Sequence, residues 1–94
     1  MRQIAKVNRN QAQIVGELRD LDFSVLIMSQ LGNGAPDILV GKYGISLPVE
    51  IISPGEKLTP AEEKWFGNWH GSGIIAETTR EITGEFIRLL RERK

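Results

Sequence analysis

Between residues 23 and 52 three short apolar runs follow one another: Phe23-Ser24-Val25-Leu26-Ile27-Met28, Ile38-Leu39-Val40, and Ile45 to Ile52. Gly32-Asn33-Gly34 and Gly41-Lys42-Tyr43-Gly44 part them. Runs of this length, rich in β-branched residues and bounded by turn signals, are strands. The last two read as a hairpin. Pro48 lies inside the third run and has no N–H to give a ladder, so that strand is expected to be locally at an edge or bulged there. Helical patterns flank the strands. Ile14, Val15, Leu18 and Leu21 recur at helical spacing, with Asn10 and Gln13 in capping-box positions, which predicts a helix over 11–21. Thr59-Pro60-Ala61-Glu62 opens a second helix, whose apolar face is Trp65, Phe66 and Trp69 and which His70-Gly71-Ser72-Gly73 ends. Aromatics at this spacing could stack nucleobases, but they are expected in the core. Ile74-Ile75-Ala76 is a short strand, and Thr78 or Thr79 starts a final helix with Ile82, Phe86, Leu89 and Leu90 inward and Arg88, Arg91, Arg93 and Lys94 at its end. The order α-β-β-β-α-β-α makes this an α/β chain. Residues 1–9, with Arg2, Lys6 and Arg9, read as a lead-in arm.

With 94 residues and no linker, residues 1–94 form one domain. Having no Cys and a single His, His70, which reads as an exposed helix-end residue, the chain can build neither a thiolate nor a histidine metal site. Any metal must sit on oxygen. No apolar run approaches the roughly 20 residues that span a bilayer, and the N-terminus lacks a signal-like apolar stretch, so a soluble, cytoplasmic, intracellular protein is expected. The 12 Lys and Arg balance 12 Asp and Glu, so nucleic-acid binding would need cations gathered locally.

The chemistry-bearing residues lie in the hairpin. If its turn centres on Tyr43-Gly44, Asp37 stands opposite Glu50 on one face, with Cβ atoms about 4.5 to 5.5 Å apart. Two carboxylates so close need a shared proton or a divalent cation. A one-residue slip of register would send one of them to the other face, leaving Asp37 a loop residue and Glu50 a solvated strand position.

Asn10-Gln11-Ala12-Gln13-Ile14-Val15, Leu18-Arg19, Gly34-Ala35-Pro36-Asp37-Ile38-Leu39-Val40, Val49-Glu50-Ile51-Ile52, and Leu58-Thr59-Pro60 with Trp65 resemble small phage-type VRR-NUC (virus-type replication-repair nuclease) domains. These belong to the PD-(D/E)XK nuclease superfamily, and the likeness runs over about residues 8–90. It implies a restriction-endonuclease-like α-β-β-β-α-β core, with a mixed sheet flanked by helices and an extra C-terminal helix. It also implies a divalent-metal-dependent DNA endonuclease that hydrolyses phosphodiesters, with branched or junction DNA among its substrates.

By the same resemblance Asp37, Glu50 and the Ile51 carbonyl are metal ligands, for Mg²⁺ or Mn²⁺. Two positions depart from the family's pattern. Gln13 stands where the first helix usually offers Glu, and Ile52 stands where the motif usually has Lys. Gln13 can still orient a water, or serve only as Asn10's capping partner. Lys57 or Lys64 is the candidate replacement cation, with a solvated loop residue as the plainer account of Lys57. Glu62, where the family often has Gln, is explained by its capping role beside Thr59. The missing Lys and Glu point to the alternative, a pseudonuclease that binds nucleic acid or a protein partner without cutting. A homodimer is expected, since a domain this small readily buries apolar surface between copies.

Overall fold

A computed structural model describes residues 9–93, so the expected arm and Lys94 lie outside the described residues, apart from the Arg9 backbone. The chain forms a helix α1 (Arg9–Asp20), strands β1 (Ser24–Ile27), β2 (Ile38–Lys42) and β3 (Ile45–Ile51), helix α2 (Pro60–Asn68), strand β4 (Ile74–Ala76) and helix α3 (Thr79–Glu92). The four strands make one mixed sheet in the order β1-β2-β3-β4, antiparallel except between β3 and β4. It is a small α/β fold.

α1 begins at Arg9, so Asn10 lies inside it and is not its cap, and Gln13 bonds Glu17 rather than closing a capping box. Its far end closes with Phe23 N–H donating to Leu18 O and Asp22 N–H donating to Arg19 O, while Asp22 takes the left-handed conformation that this ending requires (φ 67°). Leu21, expected inward, falls at this ending and is exposed. The helix instead buries Ile14, Val15 and Leu18 against Ile38, Val40, Leu47, Val49 and Ile51, and α3 adds Ile82 and Phe86 to the same core. Phe23 meets Phe86 edge to face, 5.0 Å between ring centroids.

β2 runs two residues further than expected, through Gly41 and Lys42, because the turn holds only Tyr43 and Gly44. Both have positive φ, 57° and 77°, the twist that joins right-handed strands tightly. Register follows from that turn, with Lys42 against Ile45 and Ile38 against Val49. β3 lies inside the sheet, yet its pairing with β4 begins only at Val49, so Pro48 sits where that side of the strand is still unpaired.

α2 opens with the expected capping box: Thr59 Oγ1 accepts from Glu62 N–H at 3.2 Å and Glu62 Oε1 accepts from Thr59 N–H at 2.9 Å. The expectation that its aromatics fill the core is overturned, because no residue of α2 is buried and Trp69 is 44% exposed. Side chains of α1, the sheet and α3, with Phe23, close the core without them. The loop from β1 to β2 is seated on this helix: a Cβ at Gly34 would lie 2.2 Å from Ala61 O, at φ +79°. Gly34→Ala is therefore expected to cost about 2 kcal/mol or more, combining the strained φ with a backbone clash, and to lower the thermal midpoint correspondingly. An unchanged midpoint would show that the loop is not held there.

Candidate functional site

One step past the pair Ile38 and Val49, the register sets Asp37 opposite Glu50. Asp37 O accepts from Met28 N–H at 2.7 Å on the β1 side, so the pairing with Glu50 is of the non-hydrogen-bonded kind, in which facing side chains come closest. Ile38, Val49 and Ile51 point into the α1 and α3 core, so alternation turns Asp37 and Glu50 to the opposite face. There the first turn of α2 brings Glu62 up to Glu50.

Asp37 is held by the backbone. Ile51 N–H donates to its Oδ2 at 2.8 Å. In a strand the N–H and C=O of one residue point to the same side, so the Ile51 carbonyl also faces the Asp37 side. Glu50 is only 4% exposed, and its Oε1 is fully buried with no hydrogen-bond partner among the described residues. A carboxylate in this state is expensive, because burial and the neighbouring charges both disfavour ionisation. Burial foremost, then the Asp37 charge and Glu62, pushes the Glu50 carboxyl up to about 9. Asp37 is also raised, by burial first and by the charges of Glu62 and Glu56, against the lowering effect of the Ile51 N–H. The charges acting most strongly on the pair are thus all acidic. Without a cation the site holds a proton on Glu50, which can then donate to Asp37 or Glu62.

Asp37, Glu50 and the Ile51 carbonyl are hard oxygen donors of the kind Mg²⁺ and Mn²⁺ take, and the buried Glu50 Oε1, which accepts from no N–H or hydroxyl among the described residues, is open to a proton or a cation. The Thr59 N–H occupies Glu62 Oε1. Among the described residues no group of three or more His, Cys, Asp or Glu side chains is arranged around a metal position. A cation here would rest on two carboxylates, a main-chain carbonyl and water.

None of the other candidates is hydrogen-bonded to the pair among the described residues. Gln13 Nε2 donates to Glu17 Oε2 at 3.0 Å and lines a separate cleft with Pro54 and Thr79, making no hydrogen bond to Asp37 or Glu50. Glu17 is thereby engaged, and Thr79 and Gln13 together hold its carboxyl below the usual range. Lys57 is an exposed loop residue with no hydrogen bond or ion pair among the described residues. Lys64 points instead into a cleft beside Trp65 and Trp69. His70 is exposed. Half-buried Ile52 shares the Glu50 face by alternation, and its N–H is bonded to Ala76 O at 3.0 Å.

Sequence reasoning passed over Glu62 as a partner of Glu50. The capping box explained that residue so fully that its nearness to the pair, which depends on how α2 crosses the sheet, left no further signal. Compared with protein families, curated proteins and solved structures, the chain matches none.

Proposed function

We propose that the chain is a nuclease-like domain of the PD-(D/E)XK kind, a divalent-metal-dependent DNA endonuclease whose metal site is Asp37, Glu50 and the Ile51 carbonyl. The observation that carries this reading is the buried, unpartnered Glu50 Oε1 set against Asp37, a costly arrangement that a bound cation would relieve. The helix-strand order with one hairpin and one parallel pair is consistent with the restriction-endonuclease-like core that the sequence resembles.

In this reading Mg²⁺ or Mn²⁺ supplies Lewis acidity at the phosphodiester and a nucleophilic water at neutral pH. Asp37 and Glu50 hold the ion's charge. Ile51 N–H fixes the Asp37 carboxylate so that its free oxygen faces the site. Branched or junction DNA is the proposed substrate, in a homodimer to which exposed Leu26 and Ile27 of β1 and Leu31 of the following loop contribute apolar surface.

A specific observation favours the second reading, a domain that binds but does not cut. Among the described residues no Lys or Arg acts strongly on Asp37 or Glu50, so none of them stands where a cation would assist the developing phosphorane charge.

Calorimetric titration with Mn²⁺, followed by incubation of branched DNA with the ion, separates these readings. Binding of one Mn²⁺ that Asp37→Ala removes supports the site, and Asp37-dependent cleavage supports the endonuclease. Binding without cleavage selects the second reading. Absence of binding overturns both metal readings of the pair.

A further inference from the structure

Outside the acidic pair, the most developed surface is a cleft of about 440 Å³ on α2, lined by Asn33, Ala61, Lys64, Trp65, Asn68 and Trp69. Its size suits a small planar ligand. Trp65 and Trp69 stack on each other, with centroids 4.6 Å apart and planes 18° from parallel. Although 44% exposed, Trp69 is held in place: its indole Nε1 donates to Ser72 O at 2.7 Å, and a Cβ at Gly71 would press on that ring edge at 3.1 Å. A rigid aromatic face left open to solvent costs stability unless something covers it. The lining carries one cation and two amides and no acid, so its charge and hydrogen-bonding groups suit a base attached to a phosphate.

From this we infer that Trp65, Trp69 and Lys64 form a binding site for an unpaired nucleobase of single-stranded DNA, the base stacking on the tryptophans and the flanking phosphate meeting Lys64. Asn33 and Asn68 offer amides to the base edge. Placement ties the cleft to the acidic pair. Helical rise sets Trp65 about 4.5 Å and Trp69 about 10 Å along the axis from Glu62, which touches Glu50. Asn33 belongs to the loop that leads into Asp37. This assignment rests on the proposed nuclease reading for the idea that the held strand is the one cut, and it selects substrates with unpaired nucleotides beside the cut. Stacking of the base does not itself require a metal.

The chain's two tryptophans are both in this cleft, so tryptophan emission, excited at wavelengths that Tyr43 does not absorb, reports on it alone. In EDTA, a short oligodeoxythymidylate is expected to quench that emission, with a blunt duplex of equal length binding at least about fivefold more weakly. Trp69→Ala should weaken single-strand binding, followed by anisotropy of a labelled oligonucleotide, by about fivefold or more. Trp69→Phe, which keeps a ring on Trp65, should retain most of it, and Lys64→Gln should lower the salt dependence by about one phosphate contact. Asp37→Asn removes an acid and no group of the cleft, so it should not weaken binding in EDTA, and Trp69→Ala should not weaken Mn²⁺ binding, so failure of this site and failure of the metal reading are distinguishable. The inference is overturned if folded Trp69→Ala binds the oligonucleotide as the parent does, or if blunt duplex or oligouridylate binds as well as oligodeoxythymidylate.

Discussion

Glu50→Gln is expected to raise the melting temperature and to abolish Mn²⁺ binding in one substitution. The Glu50 carboxyl titrates near 4.5 in the unfolded chain and at about 9 in the fold. Between those values the folded protein retains a proton that the unfolded chain has released. The contribution is therefore fully present below about pH 4.5 and is lost as pH rises towards and through about 9. At pH 8, where the unfolded chain has released the proton and the folded protein keeps it, this linkage is expected to cost about 2 to 3 kcal/mol. Gln, neutral at every pH and nearly the same shape, escapes that loss. For a domain of this size the gain corresponds to at least about 8 °C in the midpoint at pH 8, vanishing near pH 4. Mn²⁺ should stabilise the parent, more strongly as pH rises because the ion displaces the Glu50 proton, and should leave Glu50→Gln unmoved. A variant no more stable than the parent at pH 8 would show that burial of this carboxyl carries no cost. One that still binds Mn²⁺ normally would remove Glu50 from the site.

Ile52→Lys is expected to raise Mn²⁺-dependent cleavage of branched DNA by about 10²- to 10³-fold, the usual worth of one positioned electrostatic group. Residue 52 shares the Glu50 face about 6.5 to 7 Å further along the strand, and Ile52 is half-buried, so a lysine there can run its stem over apolar surface and bring its ammonium towards the acids. The acidic surroundings of Asp37 and Glu50 favour that cation, and its arrival should lower the pH needed for Mn²⁺-independent ionisation of Glu50. Adding Asp37→Ala should erase the gain. Thermal unfolding of Ile52→Lys comes first, since a cation placed among apolar atoms costs up to a few kcal/mol. If the folded variant cuts no faster while the parent cuts and depends on Lys57, the replacement lysine lies in the loop after β3.

Much of this protein is local and therefore legible in its residues. The capping box at Thr59 and Glu62, the two-residue turn at Tyr43 and Gly44 and the strand runs each depend on neighbours within a few positions. The turn then propagates register along the hairpin, which is why the facing of Asp37 and Glu50 could be inferred by counting residues. Helix starts were harder where the signal was weak, as at Asn10, since a polar residue followed three positions later by Gln occurs inside helices as readily as at their ends.

The packing of α2 was decided only in three dimensions. Sequence spacing made Trp65, Phe66 and Trp69 one apolar face, but whether that face is buried depends on how much core the side chains of α1, the sheet and α3 have already filled. The same crossing of α2 over the sheet brings Glu62 to Glu50 and sets Lys64 in the cleft beside Trp65 and Trp69. Sequence by itself thus determined the α/β order, the hairpin register and the two facing acids, because hydrogen-bond ladders and turns carry local rules over distance. Tertiary structure alone decided which charges surround those acids and which aromatics stay exposed, because electrostatic coupling and burial depend on where separate elements meet.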